Sequence, residues 1–450
     1  MKLLQTAFIL LLLIVAGCSA DEPDTEPISL ISIRVNGSTL SNNAEDIVVD
    51  ASISMSFSAV LNPADFATQL SISSNAGNEN FTIAYANSNS KATVDLTLEY
   101  STTYTVSIGS GAIGGNSEQL ESAISVTFTT GEDDIIRSMP PCTNPANCLE
   151  SIQLEGTQGS GKFEFYSNYP IYEENAEWED LTQAVIVVHG ASHNPADYFS
   201  YLTNTLNAAS LSENTVLIAP YFRNTAAANS TDFHWSSFAW RDGKLSSNAN
   251  KISSFAALDE IIKQLADIEN FPVLEQIVIT GQSSGGRFTH IYAPSNASEG
   301  LYAAINFDYV VSESQYFYYP DGQRIDENTN QLYTPTSCNG YDFWPFGFDL
   351  IPDYLSTMTE TTFNQRFASR SITYLLGNGT AADPTLNTNN CSATLLGSNR
   401  YQRGENMFRY MELVYPTNNH AKTVVNGVSH DGSAIYQSAT FRALLVDLLN

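Results

Sequence analysis

Gln276-Ile277-Val278-Ile279-Thr280-Gly281-Gln282-Ser283-Ser284-Gly285-Gly286 is the stretch that decides the fold. Its opening residues form an apolar, β-branched run, the composition of a strand buried on both faces. A serine then stands between glycines in the spacing Gly-x-Ser-x-Gly, and Arg287 to Tyr292 beyond it can continue as a helix. A strand that turns sharply into a helix at a serine is a nucleophile elbow. The serine takes the strained position, and the glycines let neighbouring backbone pass closely. Ser283 is therefore the expected nucleophile, because choosing Ser284 would break the spacing of Gly281 and Gly285.

The surrounding chain has the grammar this elbow needs. From Glu150 onward, apolar strand cores alternate with amphipathic helices, which predicts a mostly parallel sheet covered on both faces over residues 150–450. Ala184–Val188 and Thr215–Ala219 read as buried strands. Phe255, Leu258, Ile261, Ile262 and Leu265 share one helical face between Ser253 and Ala266. Further strands are expected at 303–307, 372–376 and 422–425, with a terminal helix over 432–449.

A serine hydroxyl needs a base within hydrogen-bond reach, and in this type of fold the base follows the last strand, after the acid in chain order. Six histidines are present. His430, in Gly427-Val428-Ser429-His430-Asp431-Gly432, stands between the strand at 422–425 and the terminal helix. His420 precedes that strand and reads as an exposed loop residue. Asp383 is the only carboxylate in the loop that follows the strand at 372–376, and it is the expected acid. His189 ends the first buried strand as Val188-His189-Gly190-Ala191, where the oxyanion loop belongs.

The chain from about 180 to 450 resembles a group of secreted bacterial and fungal α/β-hydrolases. The resemblance is carried by Gly281–Gly286, Tyr309-Val310-Val311-Ser312, Cys338-Asn339-Gly340-Tyr341-Asp342-Phe343-Trp344, Tyr374–Gly377, Asn399-Arg400-Tyr401-Gln402-Arg403-Gly404 and Gly427–Gly432. It implies a Ser283–His430–Asp383 triad. The His189-Gly190 pair resembles an esterase motif, which implies oxyanion donors at the backbone amides of Ala191 and Ser284, with Gly190 permitting the loop's path. In the acid loop the pattern departs: Thr380 stands about where the resembling proteins carry an Asp. Ester hydrolysis through an acyl-enzyme is the expected reaction, without cofactor or catalytic metal, since no His, Asp and Glu set has ligand spacing. The aromatic segments Phe233–Arg241 and Tyr316–Tyr319 fit either a substrate platform or packing under long loops.

Residues 28–131 read differently. Short alternating runs such as Ile53–Val60, Ala92–Leu98, Thr103–Ile108 and Ser125–Thr129, separated by Asn, Gly and Ser turns, predict a β-sandwich without a helix. This segment resembles bacterial Ig-like domains, which implies a spacer or a glycan-binding module. Residues 132–149 read as a linker.

Lys2, the apolar stretch Ala7–Val15 and the small residues before Cys18 have a signal-peptide layout over 1–17. Ile14-Val15-Ala16-Gly17-Cys18 resembles a bacterial lipobox, implying a lipid anchor on Cys18 with an acidic tether over 18–27. Asp21-Glu22-Pro23-Asp24 resembles surface-export signals of Gram-negative lipoproteins, so the expected place is the bacterial envelope, on the outer membrane. Setting Cys18 aside leaves four cysteines of the five, an even number in an oxidising compartment. Of the three pairings, Cys142–Cys148 with Cys338–Cys391 is the expectation, free thiols being the alternative. A formal charge of −29, from 48 acidic and 19 basic residues, disfavours nucleic acid as a partner. A monomer acting on an ester, such as an acylated polysaccharide or polyester fragment, is expected. The competing reading is a non-catalytic surface protein that binds glycans through a decayed hydrolase domain.

Overall fold

The computed structural model describes residues 26–133, 136–173, 175–224, 232–236 and 238–449, so the leader at 1–17, Cys18 and nearly all of the tether lie outside the described residues. The chain divides into two compact units, residues 1–134 and 135–450.

The first unit is a sandwich of two five-stranded sheets. In one, Leu30–Val35, Asp50–Phe57 and Lys91–Thr97 pair antiparallel. In the other, Leu70–Ser74, Thr103–Ile108 and Ile124–Thr130 do the same. The period of two puts Ala51, Ile53, Met55 and Phe57 inside against Val106, Ile108 and Phe128, while the serines between them face outward. A helix that the alternation does not predict, Pro63–Gln69, closes one end. It is seven residues long, too short to show a helical period. Asn62 caps it by accepting from Ala64 N at 3.1 Å, and Phe66 meets Phe57 edge to face.

The second unit is built on an eight-stranded sheet: β1 (Leu149–Gly156), β2 (Gly159–Ser167), β3 (Gln183–Val188), β4 (Thr215–Pro220), β5 (Gln276–Gln282), β6 (Asn306–Ser312), β7 (Ser371–Gly377) and β8 (His420–Val425). Their order in space is β1-β2-β4-β3-β5-β6-β7-β8. β2 is antiparallel to both neighbours, and every pairing from β4 to β8 is parallel. The main helices are α1 (Pro195–Ala209), α2 (Ser254–Leu265), α3 (Ser284–Ser295), α4 (Glu360–Ser369), α5 (Arg400–Val414), α6 (Gly432–Tyr436) and α7 (Ala439–Leu449).

Alternate side chains of one strand enter two different cores, which is why the strands read as continuous apolar runs. Ile186, Val188, Ile277 and Ile279 pack with Leu258, Ile262 and Phe288 of α2 and α3. Val185, Val187 and Val278 pack on the other face with Phe199, Leu202, Phe441 and Leu445 of α1 and α7.

Four boundaries differ from the sequence reading. The strand expected at 303–307 runs instead from Asn306 to Ser312, since the ladder to β5 begins at Gln276↔Asn306. The terminal helix is two helices, α6 and α7. His420 is not in an exposed loop: it opens β8, with its ring 3.0 Å from Tyr374 Oη and 2.7 Å from Phe367 O. The segment expected as linker is tied into the second unit, where Cys142 N donates to Asn168 O at 2.7 Å and Cys148 is buried in the core. Disulfides join Cys142 to Cys148 and Cys338 to Cys391.

Candidate active site

At the turn between β5 and α3, Ser283 has φ 60° and ψ −112°, a left-handed conformation that a side-chain-bearing residue adopts only under constraint. Two constraints are visible. Ser283 N donates to Ser312 O at 3.0 Å, tying the elbow to the end of β6. A Cβ on Gly281 would meet the backbone of Gly285, and one on Gly285 would meet Val188 O, both well under 3.0 Å. The two glycines of the motif are therefore required by backbone packing, and Gly285 also holds the elbow against the loop after β3.

That loop brings Gly190 and Ala191 to the elbow. Ser283, Ser284, Gly190, Ala191 and His430 line one open cleft of about 580 Å³. The amides of Ser284, at the first turn of α3, and of Ala191 have no acceptor among the described residues. His189 itself is fully buried, and its ring is used by the backbone: Nδ1 lies 2.8 Å from Gly190 O, and Nε2 accepts from Phe222 N at 3.2 Å. Burial lowers its pKa to about 3, so it stays neutral and shapes the loop. Tyr198 of α1 joins three parts of the site. Its hydroxyl donates to Gln282 Oε1 at 2.7 Å and lies 2.8 Å from where a Cβ on Gly190 would stand and 3.2 Å from one on Gly432.

His430 lies between β8 and α6, with Asp431 capping α6 by accepting from Ala434 N at 3.0 Å. The His430 Nε2 atom is buried without a protein partner among the described residues. Its Nδ1 lies 3.6 Å from Asp383 Oδ1 and 3.4 Å from Thr385 Oγ1. Burial first, then the Arg400 guanidinium, lower the His430 pKa to about 4 against the opposing pull of Asp383 and Asp431. The imidazole is thus a free base at neutral pH.

Asp383 is held by more than the histidine. Thr385 Oγ1 donates to Asp383 Oδ1 at 2.6 Å, and Arg400 Nε donates to Asp383 Oδ2 at 2.6 Å. Burial raises the pKa of Asp383, but the Thr385 hydrogen bonds and the Arg400 charge outweigh it and bring it to about 2. Arg400 also donates to Glu313 O at 3.0 Å and to Thr385 Oγ1 at 2.9 Å. Glu313 follows β6 directly, is buried with φ 48°, and accepts from Gly377 N at 2.5 Å. Burial raises it to about 7. Glu313, Asp383, Arg400 and His430 line a second cavity of about 360 Å³ adjoining the first.

The elbow, the oxyanion loop, His430 and Asp383 are thus brought together. Thr385, Arg400 and Glu313 were not singled out by sequence reasoning. Arg400 lies in a quoted motif, but its role depends on a loop 17 residues away. The aromatic runs divide between their two readings: Trp235, Trp240, Phe317, Tyr318 and Tyr319 are buried packing, whereas Phe238 and Tyr316 line the cleft.

Residues 31–130 match the family described as the bacterial Ig-like domain. No curated protein matches the chain. Among solved structures it is similar to a poly(3-hydroxybutyrate) depolymerase from Bordetella parapertussis, at 19% identity and TM-score 0.47 over 66% of this chain and 90% of that one. It is also similar to poly(aspartic acid) hydrolase-1 from Sphingomonas sp. KT-1, at 15% identity and TM-score 0.44 over 65% of this chain and 97% of that one. A siderophore hydrolase from Aspergillus nidulans gives 11% identity and TM-score 0.37 over 68% and 95%. Residues 31–130 are accordingly a bacterial Ig-like domain, and the strand order with its elbow after β5 gives the second unit the α/β-hydrolase fold.

Proposed function

We propose that the second unit is a serine hydrolase of carboxylic esters. The observation that carries this reading is Ser283 at φ 60° on the β5–α3 elbow, sharing one cleft with an unpartnered His430 Nε2 and two unpaired amides. The Ser283 hydroxyl attacks the ester carbonyl while His430 Nε2 takes its proton. The oxyanion of the tetrahedral intermediate accepts from the amides of Ala191 and Ser284. His430 then gives the proton to the departing alcohol, leaving an acyl-enzyme. Water, deprotonated by the same imidazole, attacks that ester, and the proton returns to Ser283 as the acid leaves. Asp383, with Thr385, orients the ring through Nδ1 and stabilises the imidazolium. The 3.6 Å separation in the free protein belongs to a contact that tightens when the ring becomes charged.

The same reading puts the enzyme on a lipid anchor at Cys18 on the bacterial envelope, with the Ig-like unit as its spacer and an extracellular acylated polysaccharide or polyester as its substrate. The test is p-nitrophenyl acetate hydrolysis by a soluble form beginning after Cys18, with Ser283→Ala beside it and a fluorophosphonate probe. Hydrolysis and labelling that both vanish in the variant support the reading. A wild-type protein that neither turns over nor labels overturns it, in favour of a non-catalytic surface module.

A further inference from the structure

Arg241 is a cation of the cleft whose charge no carboxylate of the described residues balances by a salt bridge. It belongs to the one-turn helix Ala239–Asp242 and lines the cleft together with Ser283. Its Nη1 donates to Ser284 Oγ at 3.2 Å, and its guanidinium carbon lies 4.0 Å from the ring centroid of Phe238 and 5.4 Å from that of Tyr316. The adjacent carboxylate, Asp242, is taken by Arg287 at 2.6 Å. Arg241 thus has no ion-pair carboxylate of its own, and its Nε is buried without a partner among the described residues. The other cation lining the cleft, Arg400, is consumed by Asp383, Thr385 and the Glu313 carbonyl. Among the described residues Asp431 is the carboxylate lining the cleft, exposed and bound to the first turn of α6.

A partly buried guanidinium carries a desolvation cost, and Arg241 offsets it only through the Ser284 hydroxyl, two aromatic faces and an Asp242 carboxylate already engaged by Arg287. An arginine presents a planar fork matched to a carboxylate, and here stacking on Phe238 holds that fork in place. The fork is bonded to the side chain of the residue directly after the nucleophile. An anion on it therefore lies only a few bonds from a carbonyl seated at Ser283.

On the ester-hydrolase reading above, we propose that Arg241 is the receptor for a free carboxylate of the substrate, which makes the preferred substrate an acidic ester. The carboxylate is carried on the acyl side, as in a monoester of a dicarboxylic acid, or on the alcohol side, as at the end of a chain of ester-linked hydroxy acids. Both sources present the same group to the same fork.

The experiment compares three esters on the soluble protein: p-nitrophenyl hemisuccinate, the neutral p-nitrophenyl butyrate, and 3-(butyryloxy)butyrate, which places the carboxylate on the alcohol side. The wild type is expected to prefer at least one acidic ester, and Arg241→Gln to reduce that acidic-to-neutral ratio of kcat/KM by about 10- to 100-fold, mainly through KM. Arg241→Lys, which keeps the charge without the fork, is expected to fall between them. Succinate should slow fluorophosphonate labelling of Ser283 in the wild type and not in Arg241→Gln, a readout independent of turnover. An unchanged ratio, a neutral preference in the wild type or no protection by succinate overturns the carboxylate receptor while butyrate hydrolysis leaves the esterase reading intact. If no ester is cleaved and Ser283 does not label, the esterase reading fails and takes this proposal with it.

Discussion

The elbow at Ser283 and the loop at Asp383 place two members of one triad by different means. At the elbow, backbone fits backbone: Gly281 against Gly285, Gly285 against Val188 O, Ser283 N on Ser312 O. At the acid loop, side chains hold the acid: Asp383 is gripped by the side chains of Arg400 and Thr385, and Arg400 also donates to the backbone carbonyl of Glu313. A backbone device tolerates little change, because no rotamer can relieve a clash with a carbonyl. A side-chain network divides its function among several members and loses it in stages. The difference predicts an all-or-none response at one end of the site and a graded one at the other.

The largest effect should come from Ser283→Ala, on the order of 10⁶-fold in kcat with the fold intact, measured by steady-state hydrolysis alongside thermal unfolding. Asp383→Asn should cost less, roughly 10³- to 10⁴-fold, because the oxyanion amides and His430 remain while the Arg400 charge is left facing the imidazole. A loss as deep as that of Ser283→Ala would break the contrast. Gly285→Ala tests the elbow's rigidity: its Cβ meets Val188 O, so a destabilisation of about 3 kcal/mol is expected in denaturant unfolding. A variant as stable as the wild type would show that the elbow gives way after all.

The smallest effect is a displacement in pH. With His430 lowered to about 4, the free base persists as pH falls through the ordinary histidine range, so the acid limb of kcat/KM should lie near 4. The unfolded chain binds this proton at the ordinary histidine value of 6.5, and the folded protein does not, so His430 also makes stability fall as pH drops from 6.5 towards 4. Removing the Arg400 charge with Arg400→Gln should move the acid limb upward. An acid limb near 6.5 in the wild type would mean that neither burial nor Arg400 governs the base.

The same contrast explains what could be read from the sequence. The elbow was legible because its constraints are local: an apolar strand and two glycines at fixed spacing. His430 was legible through chain order, lying after the last strand and before a helix. The acid's surroundings were not, because Arg400 reaches Asp383, and Glu313 meets Arg400, from other elements, with no spacing that marks them. His420 was misplaced for a similar reason: its partners, Tyr374 and Phe367, lie 46 and 53 residues away. In the first unit, alternation exposed the strands but could not reveal a seven-residue helix held by a cap and one phenylalanine.

Tyr198 gives the cleft an asymmetry with consequences for how such an enzyme can change. Its hydroxyl meets the elbow at Gln282 and stands beside Gly190 of the oxyanion loop and Gly432 of the histidine loop. These three loops cannot shift independently, so the wall that handles the reacting carbonyl is inherited as a block. The cleft is also lined by Phe238, Gln315 and Tyr316, whose side chains make no hydrogen bond to these three loops among the described residues. New substrates can be sampled there one substitution at a time, while the reacting groups stay fixed.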